Sequence, residues 1–103
     1  MDIVVNNKDS LSAAGFGKVK PDSKEDRISC MRKHGEKCFL KPDQLKYPIC
    51  DKDGNFDCRG IIAAKFWADT AETKAKKTRK RRPYSFRKIS HKAKNIGKEL
   101  GCL

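Results

Sequence analysis

Long apolar runs, aromatic side chains and histidine are all scarce in this sequence, and each shortage removes a class of function. The longest uncharged stretch, 10–17, is short and half polar or glycine, and the more apolar 60–64 is closed by Lys65. No segment therefore reaches the roughly 20 apolar residues that a membrane-crossing helix needs. Residues 1–27 have neither a basic start nor a long apolar stretch, so no secretory signal is expected and synthesis in the cytosol is the default. There are only two histidines, both in basic surroundings, and no Ser–His–Asp or paired-carboxylate spacing that suggests assembly. Glycine-rich phosphate loops are absent as well. The expectation is a protein that is not an enzyme, with no catalytic residues and no small-molecule substrate.

Five Phe, two Tyr and one Trp in 103 residues, with apolar and charged residues each at 37%, make a thin core. A chain of this size buries only about 60–70% of the surface its unfolded form exposes, and little apolar surface is available to offset the entropy of ordering every residue. A core drawn from about residues 28–70, with extended or disordered segments on either side, is the consistent reading. Residues 1–27 carry a short apolar patch at Ile3, Val4 and Val5 but no sustained period. They read as an extended arm, which adds a strand or lies along a partner, or as a disordered tail.

Cysteine, by contrast, is plentiful. Cys30, Cys38, Cys50 and Cys58 are separated by seven, eleven and seven residues, and Cys102 stands next to last. Cytosolic proteins rarely keep structural disulfides, so four regularly spaced cysteines mean a metal, a special oxidising route or free thiols. Structural zinc usually takes a pair of ligands two to four residues apart, so that one turn presents both sulfurs, and neither close pair here has that spacing. Zinc on the four cysteines stays as the alternative to two disulfides, with His34 a ligand only in that case and otherwise solvent-exposed. Of the three possible pairings, the nested one is favoured, Cys38 with Cys50 and Cys30 with Cys58, because the turn-rich interior reads as a hairpin; loop closure would then contribute about 3 and about 3.6 kcal/mol. Cys102 is left as an unpaired surface thiol or an intermolecular bridge. The acidic run Asp51, Asp53, Asn55 and Asp57 imitates a calcium loop but has Phe56 where that loop needs glycine and Ile62 where it needs a bidentate Glu. A tight turn followed by a helix cap at Asp57 is the better account, and no metal is expected there.

Around these cysteines, Leu45, Tyr47 and Ile49 alternate with Lys46 and Pro48, as in a short edge strand. From Arg59 onward the composition is helical. Ile61, Ala64, Ala68, Ala71 and Ala75 form a small-residue seam, flanked by the bulky pairs Ile62 with Phe66 and Ala63 with Trp67. The predicted core is Phe39, Leu40, Tyr47, Ile49, Ile62, Phe66 and Trp67. The helix is expected to lose its apolar face near Ala75 and to break at Pro83. A second, basic helix follows, over 85–100 or 90–100, with a narrow stripe of Ile89, Ala93, Ile96 and Leu100 stopped by Gly101.

The net charge is +12, and residues 74–98 hold twelve Lys or Arg and no acid, while the rest carries thirteen of each sign. A neutral body with a polycationic segment seeks an acidic surface: nucleic acid, an anionic membrane surface or an acidic protein face. The candidate anionic-partner residues are Lys76, Lys77, Arg79, Lys80, Arg81, Arg82, Arg87 and Lys88. Tyr84 and Phe86 follow the run and could stack on bases, although two aromatics do not make a platform.

The run CFLKPDQLKYPIC with the following Cys58, Gly60 and Ala63-Ala64 resembles a small cysteine-containing module in virion proteins of large icosahedral double-stranded DNA viruses of the nucleocytoplasmic group. The matching residues are Cys38, Phe39, Leu40, Pro42, Lys46, Tyr47, Pro48, Ile49, Cys50, Cys58, Gly60, Ala63 and Ala64, and the resemblance covers 38–68 and neither end of the chain. It implies a basic minor capsid protein beneath the capsid shell, partnered by the major capsid protein and other minor capsid proteins, made in the host cytoplasm and carried in the virion. It also implies a route to disulfides, since viruses of this group carry their own thiol oxidase. The fold expected is small, mainly α and disulfide-stapled: an irregular, hairpin-like cysteine knot, one long helix and a second basic helix. The division expected is an N-terminal arm at 1–27, a stapled core at 28–73 and a basic helical arm at 74–103.

Overall fold

The computed structural model describes residues 3–103. In chain order, β1 (Val5–Asn6) leads through a 3-10 turn at Phe16–Lys18 into α1 (Lys24–His34), a short hairpin of β2 (Phe39–Lys41) and β3 (Lys46–Pro48), then β4 (Phe56–Asp57), α2 (Cys58–Thr78) and α3 (Phe86–Leu100). The mainly α, disulfide-stapled class expected from the sequence is what the chain adopts, with small sheets beside the helices.

Helix α1 was not anticipated. Ser23 caps it by accepting from the Asp26 N–H, Glu25 and Asp26 occupy its first turn, and Arg32, Lys33 and His34 its last, which complements the helix dipole at both ends. Because its polar residues run all the way round, no apolar periodicity marks it. Capping and charge placement carry the signal that hydrophobic spacing lacks.

Residues 3–27 also differ from the expected arm, whose residues 1 and 2 lie outside the described residues. β1 pairs in parallel with β4, Val5 beside Phe56 and Asn6 beside Asp57, so the strand is added to this chain itself. Phe16 is buried against the bare backbone of Gly60 in the first turn of α2, where any Cβ would strike its ring. The Asn6 and Asn7 amides donate to Asp51 and Asp57, and the Lys52 N–H donates to the Val19 carbonyl. Polar side chains and one aromatic thus pin a segment whose composition looks unstructured.

β2 and β3 form the expected antiparallel hairpin, with Phe39 opposite Pro48 and Lys41 opposite Lys46. The acidic turn after it closes on Asp51, whose carboxylate accepts from the Asp53 and Asn55 N–H groups while Gly54 takes a positive φ of 82°. That is the tight turn read from the sequence, and the Asp57 cap is present too.

The core lies where α2 and α3 pack antiparallel against the hairpin: Leu40, Ile49, Ile61, Ala64, Ala68, Ile89 and Ala93 are buried together, with Tyr47, Ile96 and Leu100 half-buried at its edge. The small-residue seam of α2 is the inner side of that helix. Phe39, Leu40 and Ile49 are core as expected, Tyr47 and Ile62 are only half-buried, and Phe66 and Trp67 are the correction: they are 61% and 62% exposed. Alanine in the seam lets two helix backbones approach closely, and the i, i+4 geometry then turns the bulky pairs outward.

A second correction concerns the cysteines. The bridges are Cys38–Cys50, as expected, and Cys58–Cys102 instead of Cys30–Cys58. Cys102 is not a loose thiol, and Cys30 is a free, buried one. Two helices joined by the short link 79–85 must run antiparallel, which returns the end of α3 to the start of α2. Gly101, at φ 81°, ends α3 in the left-handed conformation and donates to the Gly97 and Lys98 carbonyls. Gly97 leaves room for Leu103, whose side chain lies where a Cβ would be, and the chain folds back to deliver Cys102 to Cys58. Closing these loops contributes about 3 kcal/mol for Cys38–Cys50 and about 4 for Cys58–Cys102. Cys38, Cys50 and Cys58, three of the four cysteines of the zinc alternative, lie in these bridges, and among the described residues no group of three or more metal-ligating side chains comes together.

Candidate anionic-partner interface

The predicted core and the predicted basic arm are one unit, because α2 continues through residue 73 to Thr78 and α3 packs along it. Consequently the basic residues are not spread along a rod. Lys74, Lys76 and Lys77 close α2, Arg79, Lys80 and Arg81 lie in the link, and Arg87 and Lys88 open α3, so eight exposed cations gather at one pole of the hairpin. The Cys58–Cys102 bridge marks the other end. α2 alone spans about 31 Å at 1.5 Å per residue, and the molecule extends 44 Å along its longest axis.

Seven of the eight candidate residues, Lys76, Lys77, Arg79, Lys80, Arg81, Arg87 and Lys88, are exposed and have no carboxylate partner among the described residues. Arg82 is different. Its guanidinium donates to both Glu72 oxygens, Nη2 to Oε1 at 2.8 Å and Nε to Oε2 at 2.9 Å, tying the link back to α2. That fork holds the Glu72 carboxyl below its ordinary range, and it spends Arg82 on structure. Lys74, the first residue of the run KAKKTRKRRP, also belongs to the free set, beyond the eight candidate residues.

Tyr84 is not free to stack. Its hydroxyl shares a 3.0 Å hydrogen bond with that of Tyr47, its ring meets Tyr47 and Phe86 edge to face, and the Lys41 and Lys46 ammonium groups lie 5.1 and 5.7 Å from its centroid. Burial, and the hydrogen bond with Tyr84, push the Tyr47 hydroxyl well above the usual phenol range.

The pole is presented by a rigid base. Asp57, 1% exposed, caps α2 through the Arg59 N–H, takes a two-pronged ion pair from the Arg59 side chain at 2.8 and 3.0 Å, and accepts from Asn7 at 3.0 Å. Burial alone would raise its pKa, but the Arg59 hydrogen bonds and charge outweigh that and hold the carboxyl below its ordinary range. Cys30 sits with Cys38, Cys50 and Phe39 in a second buried cluster. Burial first, and the Asp51 charge second, push its thiol up, which makes it a poor nucleophile and a packing residue. His34, half-buried over Gly54, packs against that turn instead of facing solvent.

The chain matches no protein-family model, no curated protein and no solved structure.

Proposed function

We propose that the protein is a non-enzymatic structural component of a virion, a minor capsid or cement protein that docks its cationic pole on acidic faces of the major capsid protein and other minor capsid proteins at the inner side of the shell. The observation that carries the docking role is the gathering of eight unneutralised cations at the closed end of a disulfide-stapled hairpin. A rigid body presents that charge at lower entropic cost than a flexible tail does. The virion setting rests on the resemblance of residues 38–68, and a virus-borne thiol oxidase accounts for two disulfides in a protein made in the host cytoplasm.

A second reading, a nucleic-acid-binding or genome-packaging protein acting through residues 74–98, is favoured by the same excess of cations without a carboxylate partner among the described residues, because phosphate backbones need charge alone. The occupied faces of Tyr84 weigh against base stacking there. Charge reversal of Lys76, Lys77, Lys80 and Arg81 to Glu separates the two, with Arg82 left in its pair with Glu72. The expected result is loss of the variant from assembled particles that still retain their genome when wild-type protein is supplied. Particles that incorporate the variant but lose their genome establish the packaging reading, and absence of the wild-type protein from purified particles overturns the virion assignment.

A further inference from the structure

A groove of about 560 Å3 lies between β3, the outer side of α2 and the link into α3, bordering the cationic pole at Pro83, Tyr84 and Phe86 but lined by none of its cations. Its apolar surface includes Trp67 and Ala63 of α2 and Tyr47 of β3, and its cations are Lys20, Arg27 and Lys46; among the described residues no acidic side chain lines it. Arg27 is fixed in place by donating to the Leu45 carbonyl at 2.8 Å and the Pro21 carbonyl at 3.3 Å, neutral partners that orient the guanidinium without cancelling its charge. Lys46 has no carboxylate partner among the described residues, and Lys20 has only a loose 3.6 Å pair with Asp22. An apolar groove with an exposed indole and uncompensated cations selects for carboxylates beside an apolar side chain.

We propose that this groove binds an extended acidic peptide segment of a partner protein, with an apolar side chain of the segment against Trp67 and Ala63 and its carboxylates beside Lys20, Arg27 and Lys46. A nucleic-acid strand fits less well. Successive bases need successive open rings; Tyr84 is enclosed by Tyr47, Phe86 and two lysines, and Phe66, edge to face with Trp67 at 5.5 Å, does not line the groove, so Trp67 is the one well-exposed ring there among the described residues. The site shares no cation with the pole, so the two surfaces succeed or fail independently.

Trp67 is the only tryptophan in the chain, which makes its emission a direct report of occupancy. A random peptide library is panned against the oxidised full-length protein, and the enriched sequences are synthesised without tryptophan and titrated. The expected outcome is peptides rich in Asp or Glu with an aromatic or aliphatic residue, which shift Trp67 emission on binding. Affinity should fall at least about tenfold with Lys20→Glu plus Lys46→Glu, and by a similar factor with Trp67→Ala read by calorimetry. Both variants should keep the wild-type circular dichroism, and reversal of Lys76, Lys77, Lys80 and Arg81 should leave peptide affinity within about twofold once salt is matched. No enrichment of acidic peptides, or affinity indifferent to the Lys20 and Lys46 reversals, overturns the proposal. So does oligothymidylate that shifts Trp67 emission more tightly than any peptide and with the same dependence on those lysines.

Discussion

The two sides of α2 are built from opposite materials. The side against α3 carries Ile61, Ala64, Ala68 and Ala75, all buried, and the side toward solvent carries Phe66 and Trp67, both about three-fifths exposed. In a chain this short of aromatic residues, placing a phenyl ring and the only indole outside is costly if burial is the sole use for them. The seam sets the approach distance of two helices, a task for small residues, while the bulky residues are held outward by a framework that does not depend on them. Close backbone packing, two disulfides and the ion pair anchored on buried Asp57 supply the order that large core side chains supply elsewhere.

The largest blow to that contrast comes from the anchor that fixes where α2 begins. Asp57→Ala removes a cap and the hydrogen-bonded counter-charge of the half-buried Arg59 guanidinium, and a loss of about 2–4 kcal/mol is expected from urea unfolding of the oxidised protein. The same carboxylate gives the fold an acid limit. Its pKa is depressed in the folded state, so its contribution is complete above the unfolded Asp value of about 3.9 and is lost as pH falls through the lower folded value. In Asp57→Ala, stability should therefore depend less on pH below about 4. An unchanged acid slope would show that other carboxylates carry it.

Overfilling the seam tests its inner half. Ala68→Leu should cost about 1–3 kcal/mol, because the α2 and α3 backbones must separate to admit the side chain. A stabilised variant would mean that the helices are not in close contact. The outer half is tested by Trp67→Ser, which should change stability by less than about 0.5 kcal/mol, as for other exposed positions. A loss near that of a core tryptophan, about 3–5 kcal/mol, would move the indole inside and erase the contrast.

What the sequence reveals of this fold depends on how local the cause is. The Asp57 cap, the tight turn at Asp51, the hairpin between Cys38 and Cys50 and the stop at Gly101 are each decided within a few residues, and each is legible. The extent of the seam is legible too, but not which side of α2 faces inward, since a small seam and a bulky flank both satisfy helical periodicity and only the partner helix chooses between them. The pairing of Cys102 was hidden for a related reason. Treating 74–103 as an arm removes the antiparallel return that brings Cys102 to Cys58, and Cys30 then looks like the natural partner. Gly60 and Gly97 were the available signals: a glycine inside a helix marks a close approach, here by Phe16 and by Leu103. At the candidate interface, the basic residues themselves are plain in the sequence, whereas the capture of Arg82 by Glu72, ten residues away, requires the bend at Pro83 to be in place.

The basic C-terminal segment is a packed, stapled half of a hairpin and not a tail. Peptide mapping of the unreduced protein by mass spectrometry tests it most directly. Cross-linked fragments joining Cys58 to Cys102 and Cys38 to Cys50 are predicted, with Cys30 alkylated only after unfolding. A fragment joining Cys30 to Cys58, with Cys102 open to alkylation in the native protein, would contradict it.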